Sequence, residues 1–282
     1  MSITILAFGA SGKSAGLLLP ALAARGAHVR GFVQKDADAD EVQRHGATEV
    51  AVGDMTDRPS VERAMAGIER VFYIGPAFMP REAETGCTIV EAAARAGVRR
   101  FVFSSVIHPV LSGLANHAAK APVEEAVLDS GMEYALLHPA LFFQNYAGGW
   151  PKVAASNVLA EPWSCETRFS RVDYRDVAEV AAAALTEDRL LNGTFELCAA
   201  GEFNRHDVAA LMGEALGREV RAAKTDPDAL GDEARAMRPM FDHYDRTGLV
   251  GNSLTLRAIL GREPRTLRAY FDELAAEHGG ES

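Results

Sequence analysis

Short apolar runs alternate with segments of helical periodicity over the first half of the chain. Six of these runs have the length and residue types of buried strands: residues 3–8, 28–33, 49–52, 70–74, 100–104 and 134–138. Helical patterns lie between them and are clearest over residues 82–96 and 122–130. Strands separated by helices need crossover connections, so the pattern predicts an α/β fold with a doubly wound parallel sheet.

The pattern changes after Trp150. It predicts helices over residues 173–185 and 205–216, a short strand over 194–198, and a mostly helical remainder over 226–277. We therefore expect a first domain over residues 1–150, with residues 170–200 packing back on it. Residues 151–282 would form a smaller, mainly helical lobe that closes over the carboxyl edge of the sheet, where doubly wound folds bind substrates.

The first strand runs directly into a glycine-rich turn, Gly9-Ala-Ser-Gly12, and then into a helical segment that starts at Leu17. Glycine permits the sharp turn and the close approach of phosphates, and the helix N-terminus supplies free N–H groups. Two classes of protein share this arrangement. Residues 7–14 fit a relaxed Walker A motif, in which Lys13 would reach nucleotide phosphates and Ser14 would hold magnesium. Residues 9–15 also fit a dinucleotide-binding turn, with alanine at the third small position.

A P-loop NTPase needs a second acid at the end of another strand to hold magnesium. The predicted fourth and fifth strands end in Tyr73-Ile-Gly-Pro76 and Phe103-Ser-Ser105, which contain no carboxylate. The supports of a dinucleotide site are present instead: an aspartate at 54, the serine pair at 104–105, and Lys120. The sequence thus favours the dinucleotide, with the P-loop NTPase as a remote alternative.

Composition and charge narrow the class further. The 282 residues are 48% hydrophobic and 24% charged, as in ordinary globular proteins, and the net charge of −10 argues against nucleic-acid binding. Cys87, Cys165 and Cys198 have no metal-ligand spacing, so we expect free thiols and no metal site. No signal-peptide pattern and no apolar run of about 18 residues occurs. We expect a cytoplasmic protein that does not act at a membrane.

Further motifs are spread along nearly the whole chain. They are Gly53-Asp-Met-Thr-Asp57, Phe101-Val-Phe-Ser-Ser105, Lys120-Ala-Pro-Val-Glu-Glu125, Ser130-Gly-Met-Glu-Tyr134, His138-Pro139 with Phe143-Gln-Asn145, Asp173-Tyr-Arg-Asp-Val-Ala178, and a tail from Met240-Phe-Asp-His-Tyr244 to Gly261-Arg-Glu-Pro264. With the glycine turn, they resemble the NmrA-like group of atypical short-chain dehydrogenases/reductases, which includes quinone and dye reductases. The resemblance implies an extended Rossmann domain, an NAD(P)(H) cofactor and a small substrate lobe.

The residues expected to bind this cofactor are Gly9, Ser11, Gly12, Lys13, Ser14, Gln34, Lys35, Asp54, Met55, Ile74, Gly75, Pro76, Ser104 and Lys120. An acid at the end of the second strand would bind the ribose hydroxyls of NAD, whereas cations favour the 2′-phosphate of NADP. The strand ends in Gln34-Lys35, so NADP(H) is favoured over NAD(H). The alternative is that Lys13 and Lys35 are solvated surface charges, and that Asp54 is an ordinary turn or helix-cap residue.

The catalytic residues follow the family pattern incompletely. The wider superfamily uses a Tyr-x-x-x-Lys pair, but Asn116 stands four residues before Lys120. Asparagine is no general acid, and the loss of such an acid typically costs ~10²–10⁴ in rate. NmrA-like reductases of quinones and coloured aromatic compounds also lack this tyrosine. Lys120 would then hold the nicotinamide ribose, and His117 is a candidate proton donor, unless it is an exposed loop histidine.

Two functions follow from these expectations. The first is an NAD(P)H-dependent oxidoreductase that transfers a hydride to a small quinone-like or aromatic acceptor. Phe142, Phe143 and Trp150 are candidates for an aromatic substrate pocket, with a plain core role as the alternative. The second is a non-catalytic NAD(P)(H) sensor that reports to a regulatory protein. We lean to the reductase, as a monomer or a homodimer.

Overall fold

The structure is a computed structural model that describes residues 3–12, 15–76, 78–231 and 237–279. The strands, in chain order, are β1 (Thr4–Phe8), β2 (His28–Val33), β3 (Glu49–Val52), β4 (Arg70–Tyr73), β5 (Arg100–Ser104), β6 (Glu133–Pro139), β7 (Leu141–Phe142), β8 (Val158–Glu161), β9 (Phe169–Val172), β10 (Gly193–Leu197), β11 (Glu202–Phe203) and β12 (Arg221–Lys224). The α-helices are α1 (Leu18–Ala23), α2 (Ala39–Arg44), α3 (Arg58–Ala64), α4 (Glu82–Arg95), α5 (Ala115–Ala118), α6 (Ala121–Asp129), α7 (Trp150–Ser156), α8 (Tyr174–Thr186), α9 (Arg205–Leu216), α10 (Arg238–Arg246), α11 (Ser253–Leu260) and α12 (Leu267–Gly279).

The chain forms two compact units. The first contains Met1–His138 and Val177–Phe195, and the second contains Pro139–Asp176 and Glu196–Ser282. The first segment of the first unit therefore ends at residue 138. The reason is local, since the Ala140 N–H bonds to the Leu197 carbonyl and β7 pairs with β9, which ties the residues after 138 into the second unit.

The first unit contains a seven-stranded sheet in the order β10-β6-β5-β4-β1-β2-β3. The pairs β1–β2, β2–β3, β1–β4, β4–β5 and β5–β6 are parallel. This confirms the predicted α/β fold, whose six expected strands are all present. The chain winds outward from β1 through β3 and then crosses back to β4. The carboxyl ends of β1 and β4 are therefore the switch point, where doubly wound folds bind ligands.

Buried apolar strands form the core of the first unit. Phe8, Tyr73 and Phe103 pack with Ile89 of α4 and Val123 of α6 in one cluster. Tyr73 stacks on Phe103, with 5.5 Å between ring centroids, and meets Phe8 edge-on at 5.9 Å. Side chains of β1, β4 and β5 are buried on both faces of the sheet, as a sheet covered by helices requires. This packing holds the strand ends in fixed positions.

The second unit has a core of its own, in which Trp150 stacks on Phe271 with ring centroids 5.7 Å apart. Its strands form a three-stranded sheet, β11-β9-β7, and a two-stranded sheet, β12-β8. The sequence did not predict these five strands, because each has only two to four residues, too few to show periodicity. Helix α9 was predicted with its correct end, at Gly217, which adopts φ +66°.

Candidate cofactor and active site

The glycine turn follows β1 at the switch point of the sheet. Gly9 adopts φ +71°, a conformation that favours glycine, and the Gly12 N–H donates to the Gly9 carbonyl at 2.8 Å. A Cβ atom on Gly12 would lie only 3.0 Å from that carbonyl oxygen, so the turn is too tight for a side chain. Ser11 is exposed beside it. Lys13 and Ser14, the remaining predicted phosphate ligands of this loop, lie outside the described residues.

The loop after β4 lies directly beside the glycine turn. A Cβ atom on Gly9 would be 3.7 Å from Cγ2 of Ile74, which is ordinary van der Waals contact. Ile74 is half-buried, Gly75 is buried and Pro76 is exposed. The structure thus brings two of the predicted cofactor segments together at the switch point. The turn leaves main-chain groups without shielding side chains, as a bound pyrophosphate needs.

Gln34 and Lys35 follow the end of β2 and are both exposed. Lys35 forms no ion pair with any residue that the structure describes. Asp36, which starts a 3₁₀ turn, is also exposed. The segment therefore presents one cation next to an amide and an acid. Both the phosphate-binding role of Lys35 and the solvated surface charge are compatible with this position.

Asp54 and Met55 follow β3. The Asp54 carboxylate accepts hydrogen bonds from the Thr56 N–H and hydroxyl, both at 2.8 Å, and these two donors lower the pKa of Asp54. These bonds lie within a turn, and the cap of α3 is Asp57, which accepts from the Ser60 N–H at 3.1 Å. Met55 is half-buried against the core of the first unit.

Lys120 is buried, and its amine donates a hydrogen bond to Oε1 of Glu82, which is also buried. Gly75 covers this pair, because a Cβ atom there would lie 2.9 Å from the Glu82 oxygen and 3.4 Å from the Lys120 amine. The Tyr73 hydroxyl would be 3.1 Å from the same Cβ atom. Burial, and then the Glu82 charge, raise the pKa of Tyr73. A buried lysine needs such a partner, since an isolated charge is costly in the interior.

Three further side chains meet near the ends of β5 and β6. Oε1 of Glu124 accepts from the Ser105 hydroxyl and pairs with Nε2 of His138 at 2.9 Å. Ser104, one residue earlier, is fully buried, and its hydroxyl has no hydrogen-bond partner among the described residues. Glu124 lies one helical turn beyond Lys120, and this spacing is the signal in the sequence that points to it. Glu82 left no comparable signal, because its partner lies in a distant segment.

His117 was considered as an exposed loop histidine, and that alternative is wrong. The residue lies in α5, only 4% of its surface is exposed, and Nδ1 pairs with the His108 carbonyl at 3.0 Å. Asn116, which stands at the tyrosine position of the superfamily, is half-buried, and its side-chain oxygen has no partner among the described residues. The bond to the His108 carbonyl holds the His117 ring through Nδ1.

The three aromatic candidates for a substrate pocket differ in burial. Trp150 and Phe143 have 0% and 1% of their surface exposed and belong to the core of the second unit, which agrees with the alternative of a plain core role. Phe142 is half-buried and packs edge-on against Tyr174 at 4.8 Å. Only Phe142 among the three retains surface that a ligand could contact. The sequence does not separate the two roles, because protein cores and aromatic-binding pockets both use large apolar rings.

A cavity of about 720 Å³ lies in the second unit, beside α9 and the residues that lead into β12. Its walls include Ala209, Gly213 and Val220, and it contains none of the predicted site residues. The walls also include His206, Glu214 and Arg218, but the cavity does not lie at the switch point of the parallel sheet. We therefore place the candidate site at the strand ends rather than here.

A model of the NmrA-like family matches residues 1–270. The chain belongs to the NmrA-like family. It is 26% identical to the NAD(P)H azoreductase of Xenophilus azovorans over 272 residues, which cover 89% of this chain and 90% of that protein. The resemblance inferred from the motifs is confirmed, and it favours the dinucleotide interpretation of the glycine turn over the P-loop.

Solved structures show the same fold. The triphenylmethane reductase of Citrobacter sp. complexed with NADP(H) aligns with a TM-score of 0.85 at 20% identity, over 96% of this chain and 99% of that one. The NADPH-dependent quinone oxidoreductase of Escherichia coli complexed with NADPH aligns with a TM-score of 0.84 at 21% identity, again over 96% and 99%. The NmrA-like chain described here is thus similar over its whole length to structures that hold a nicotinamide cofactor.

Among the helices of the described segments, none is both long and apolar enough to span a bilayer. In the same residues, no three His, Cys, Asp or Glu side chains come together as a metal-binding group. Cys87, Cys165 and Cys198 are free cysteines in the structure.

Proposed function

We propose that this protein is an NAD(P)H-dependent reductase that transfers a hydride to a small quinone-like or aromatic acceptor. One observation supports this most strongly: a tight glycine turn with left-handed Gly9 lies against Ile74 at the switch point of a parallel sheet. Doubly wound folds bind dinucleotides at this place. The full-length similarity to an NAD(P)H azoreductase supports the reaction class.

The described residues fit the cofactor. Backbone N–H groups of the glycine turn would hold the pyrophosphate, and the loop at 74–76 would border the nicotinamide half. Bound NAD(P)H supplies the hydride. Lys120 would hold the nicotinamide ribose, because an ammonium group has three donors and Glu82 occupies one of them. Glu82 fixes the direction of the lysine side chain, and Ser104 offers a hydroxyl that has no partner among the described residues.

NADP(H) is the preferred cofactor in this proposal. Gln34 replaces the acid that would bind the ribose hydroxyls of NAD, and Lys35 is exposed and free of ion pairs among the described residues. Lys35→Ala should therefore weaken NADPH binding about tenfold and leave NADH binding unchanged, as measured by quenching of protein fluorescence. Lys152→Ala, at an exposed lysine of the second unit, is the control. Equal losses for both cofactors would contradict the preference.

The activity is tested by following NADPH and NADH oxidation against a panel of quinones, azo dyes and triphenylmethane dyes. Lys120→Met alone would leave the Glu82 carboxylate buried without a partner, so it is made together with Glu82→Gln. The double variant should remain folded and lose at least tenfold in kcat/KM with NADPH. A folded double variant with wild-type turnover would remove Lys120 from the site. Tight NADPH binding without turnover on any acceptor would reject the reductase.

The second candidate is a non-catalytic cofactor sensor. Asn116 stands where the superfamily has its catalytic tyrosine, which favours this function. A sensor should bind NADP and NADPH with different affinities, oxidise no acceptor, and form a complex with a regulatory protein only in one redox state. Calorimetric titration with both forms of the cofactor separates the two functions. Similar affinities together with turnover would exclude the sensor.

Localisation and assembly remain part of the proposal. The negative net charge and the free cysteines are typical of a cytoplasmic protein, and a small-molecule substrate fits that compartment. Either a monomer or a homodimer is compatible with the fold. Light scattering of the purified protein measures the mass, and cell fractionation tests the compartment.

A further inference from the structure

Glu124 holds two polar side chains from neighbouring strand ends. Its Oε1 accepts from the hydroxyl of Ser105, the residue after β5, and pairs at 2.9 Å with Nε2 of His138, near the end of β6. Ser105 is buried, and the Glu124 and His138 side chains are each 13% exposed. We call these three residues the Glu124 cluster. All of them belong to the first unit.

The hydrogen bond fixes which ring nitrogen of His138 carries a proton. A carboxylate oxygen only accepts, so Nε2 must be the donor and the neutral ring has its lone pair on Nδ1. Nδ1 makes no hydrogen bond with the described residues, and it is not one of the polar atoms that are both fully buried and without a hydrogen-bond partner. It is therefore open to a ligand. Gain or loss of a proton at Nδ1 leaves the bond to Glu124 intact.

An oriented histidine with one accessible nitrogen is the arrangement that enzymes use for general acid–base catalysis. The location is appropriate, because the cluster lies at the carboxyl edge of the sheet and Glu124 is one helical turn from Lys120. The chemistry requires such a group, since hydride transfer to a quinone or azo bond leaves an anion that must take up a proton. Asn116 has no proton to give.

We propose that His138 is the catalytic acid that protonates the reduced acceptor, positioned by Glu124 and Ser105. The inference rests on the proposed reductase function. In the step, the hydride of NAD(P)H adds to the acceptor with two electrons and leaves NAD(P)⁺. The Nδ1–H bond of the His138 imidazolium then breaks, and its proton binds the anionic oxygen or nitrogen. Solvent returns a proton to Nδ1, so one acceptor, one NAD(P)H and one proton give the reduced product and NAD(P)⁺.

The competing explanation is structural, in which the cluster only joins α6 to β6. The variant His138→Gln distinguishes the two, because its amide can still donate to Glu124 but cannot transfer a proton. His28→Gln is the matched control, since His28 also pairs with a glutamate, Glu49, at 2.9 Å, but lies at the opposite end of its strand. Both variants should bind NADPH as the wild type does.

The assay measures kcat along a series of quinones and azo compounds whose reduced anions differ in basicity. His138→Gln should lose ~10²–10⁴-fold in kcat with the most basic anions and progressively less with the most acidic ones, because a weakly basic anion needs no catalytic acid. His28→Gln should match the wild type throughout. A structural role would lower every rate by the same factor or none, and either of these results would overturn the proposal.

A second measurement does not depend on turnover. In ¹⁵N-histidine spectra of the wild type, one ring should show the neutral form protonated at Nε2, and this signal should be missing in His138→Gln. Glu124→Gln should allow both tautomers. If the His138 signal shows protonation at Nδ1, the proposal fails whatever the activity. If the spectra agree but no acceptor is reduced by the wild type, the reductase function itself fails and the catalytic role with it.

Discussion

Replacing Arg100 with methionine should strongly destabilise the first unit. Arg100 is fully buried at the start of β5 and caps the end of helix α8. Its Nη1 donates to the carbonyls of Ala184 at 2.9 Å and Glu187 at 2.6 Å. The other nitrogens pair with Glu133 at 3.0 Å and Asp188 at 2.6 Å. Positive charge and N–H donors at this position satisfy carbonyls that a helix end leaves unpaired.

The magnitude follows from what each partner can do after the change. Glu133 and Asp188 have 33% and 76% of their side chains exposed, so both can turn to water and contribute little to the loss. The carbonyls of Ala184 and Glu187 lose a charged donor, and each buried acceptor without a partner costs about 1–3 kcal/mol. Methionine keeps most of the packing. We expect a loss of roughly 2–5 kcal/mol in the free energy of unfolding.

Thermal unfolding monitored by circular dichroism measures this loss. With about 2–4 °C for each kcal/mol in a domain of this size, Arg100→Met should lower the midpoint by roughly 5–15 °C. The control is Arg99→Met, at the preceding residue, which contacts the same Glu133 at 3.3 Å but is 56% exposed. That variant should shift the midpoint by no more than about 2 °C. Equal shifts for the two variants would refute the argument from capped carbonyls.

Three further predictions concern other parts of the chain. Gly53→Ala should cost about 1–3 kcal/mol in thermal unfolding, because its Cβ would lie 2.1 Å from Oγ of Ser60, and a cost no larger than that of an exposed substitution would contradict the packing. Burial raises the pKa of Asp173, but hydrogen bonds from Arg175 outweigh it and hold the pKa below its ordinary value. The stability that Asp173 provides is therefore present above about pH 4 and is lost as the pH falls through the lowered pKa. The difference in unfolding free energy between the wild type and Asp173→Asn should shrink in acid. A difference that grows in acid would contradict this reasoning. Arg171 is buried over the Tyr146 ring at 5.0 Å and has no ion pair among the described residues. Arg171→Met should therefore leave the melting midpoint unchanged or raise it, and a large decrease would contradict this expectation.

Six strands of the sheet could be predicted from the sequence because they are short segments rich in strand-forming apolar residues and lie between helical patterns. That the strands are parallel could be inferred as well, since helices join them as crossover connections. The division at residue 138 could not, because it depends on the pairing of β7 with β9, and a two-residue strand has no periodicity. The sequence of residues 139–150 does not show whether they continue the first unit or begin the second.

The candidate site was predictable where glycine or strand ends define it. Gly9, Ile74 and Ser104 all lie at the edge to which the strand pattern assigned them. The partner of Lys120 was not predictable, because Glu82 is distant in sequence and the two meet only through the packing of α4 on α6. The burial of Trp150 was hidden for a similar reason, since an aromatic residue looks the same in a core and in a pocket.

The first unit is completed late in synthesis, because its second segment, Val177–Phe195, follows residues 139–176 in the chain. Helix α8 and strand β10 emerge from the ribosome only after residues 139–176, yet β10 completes the sheet beside β6. Until then, β6 is an open edge strand with unpaired main-chain groups, which can pair with another chain. Arg70 and Arg100 also lack the carbonyls of α8 that they cap later. The nascent protein is therefore most exposed to misassembly, and most dependent on chaperones, between the completion of β6 and the arrival of residue 197.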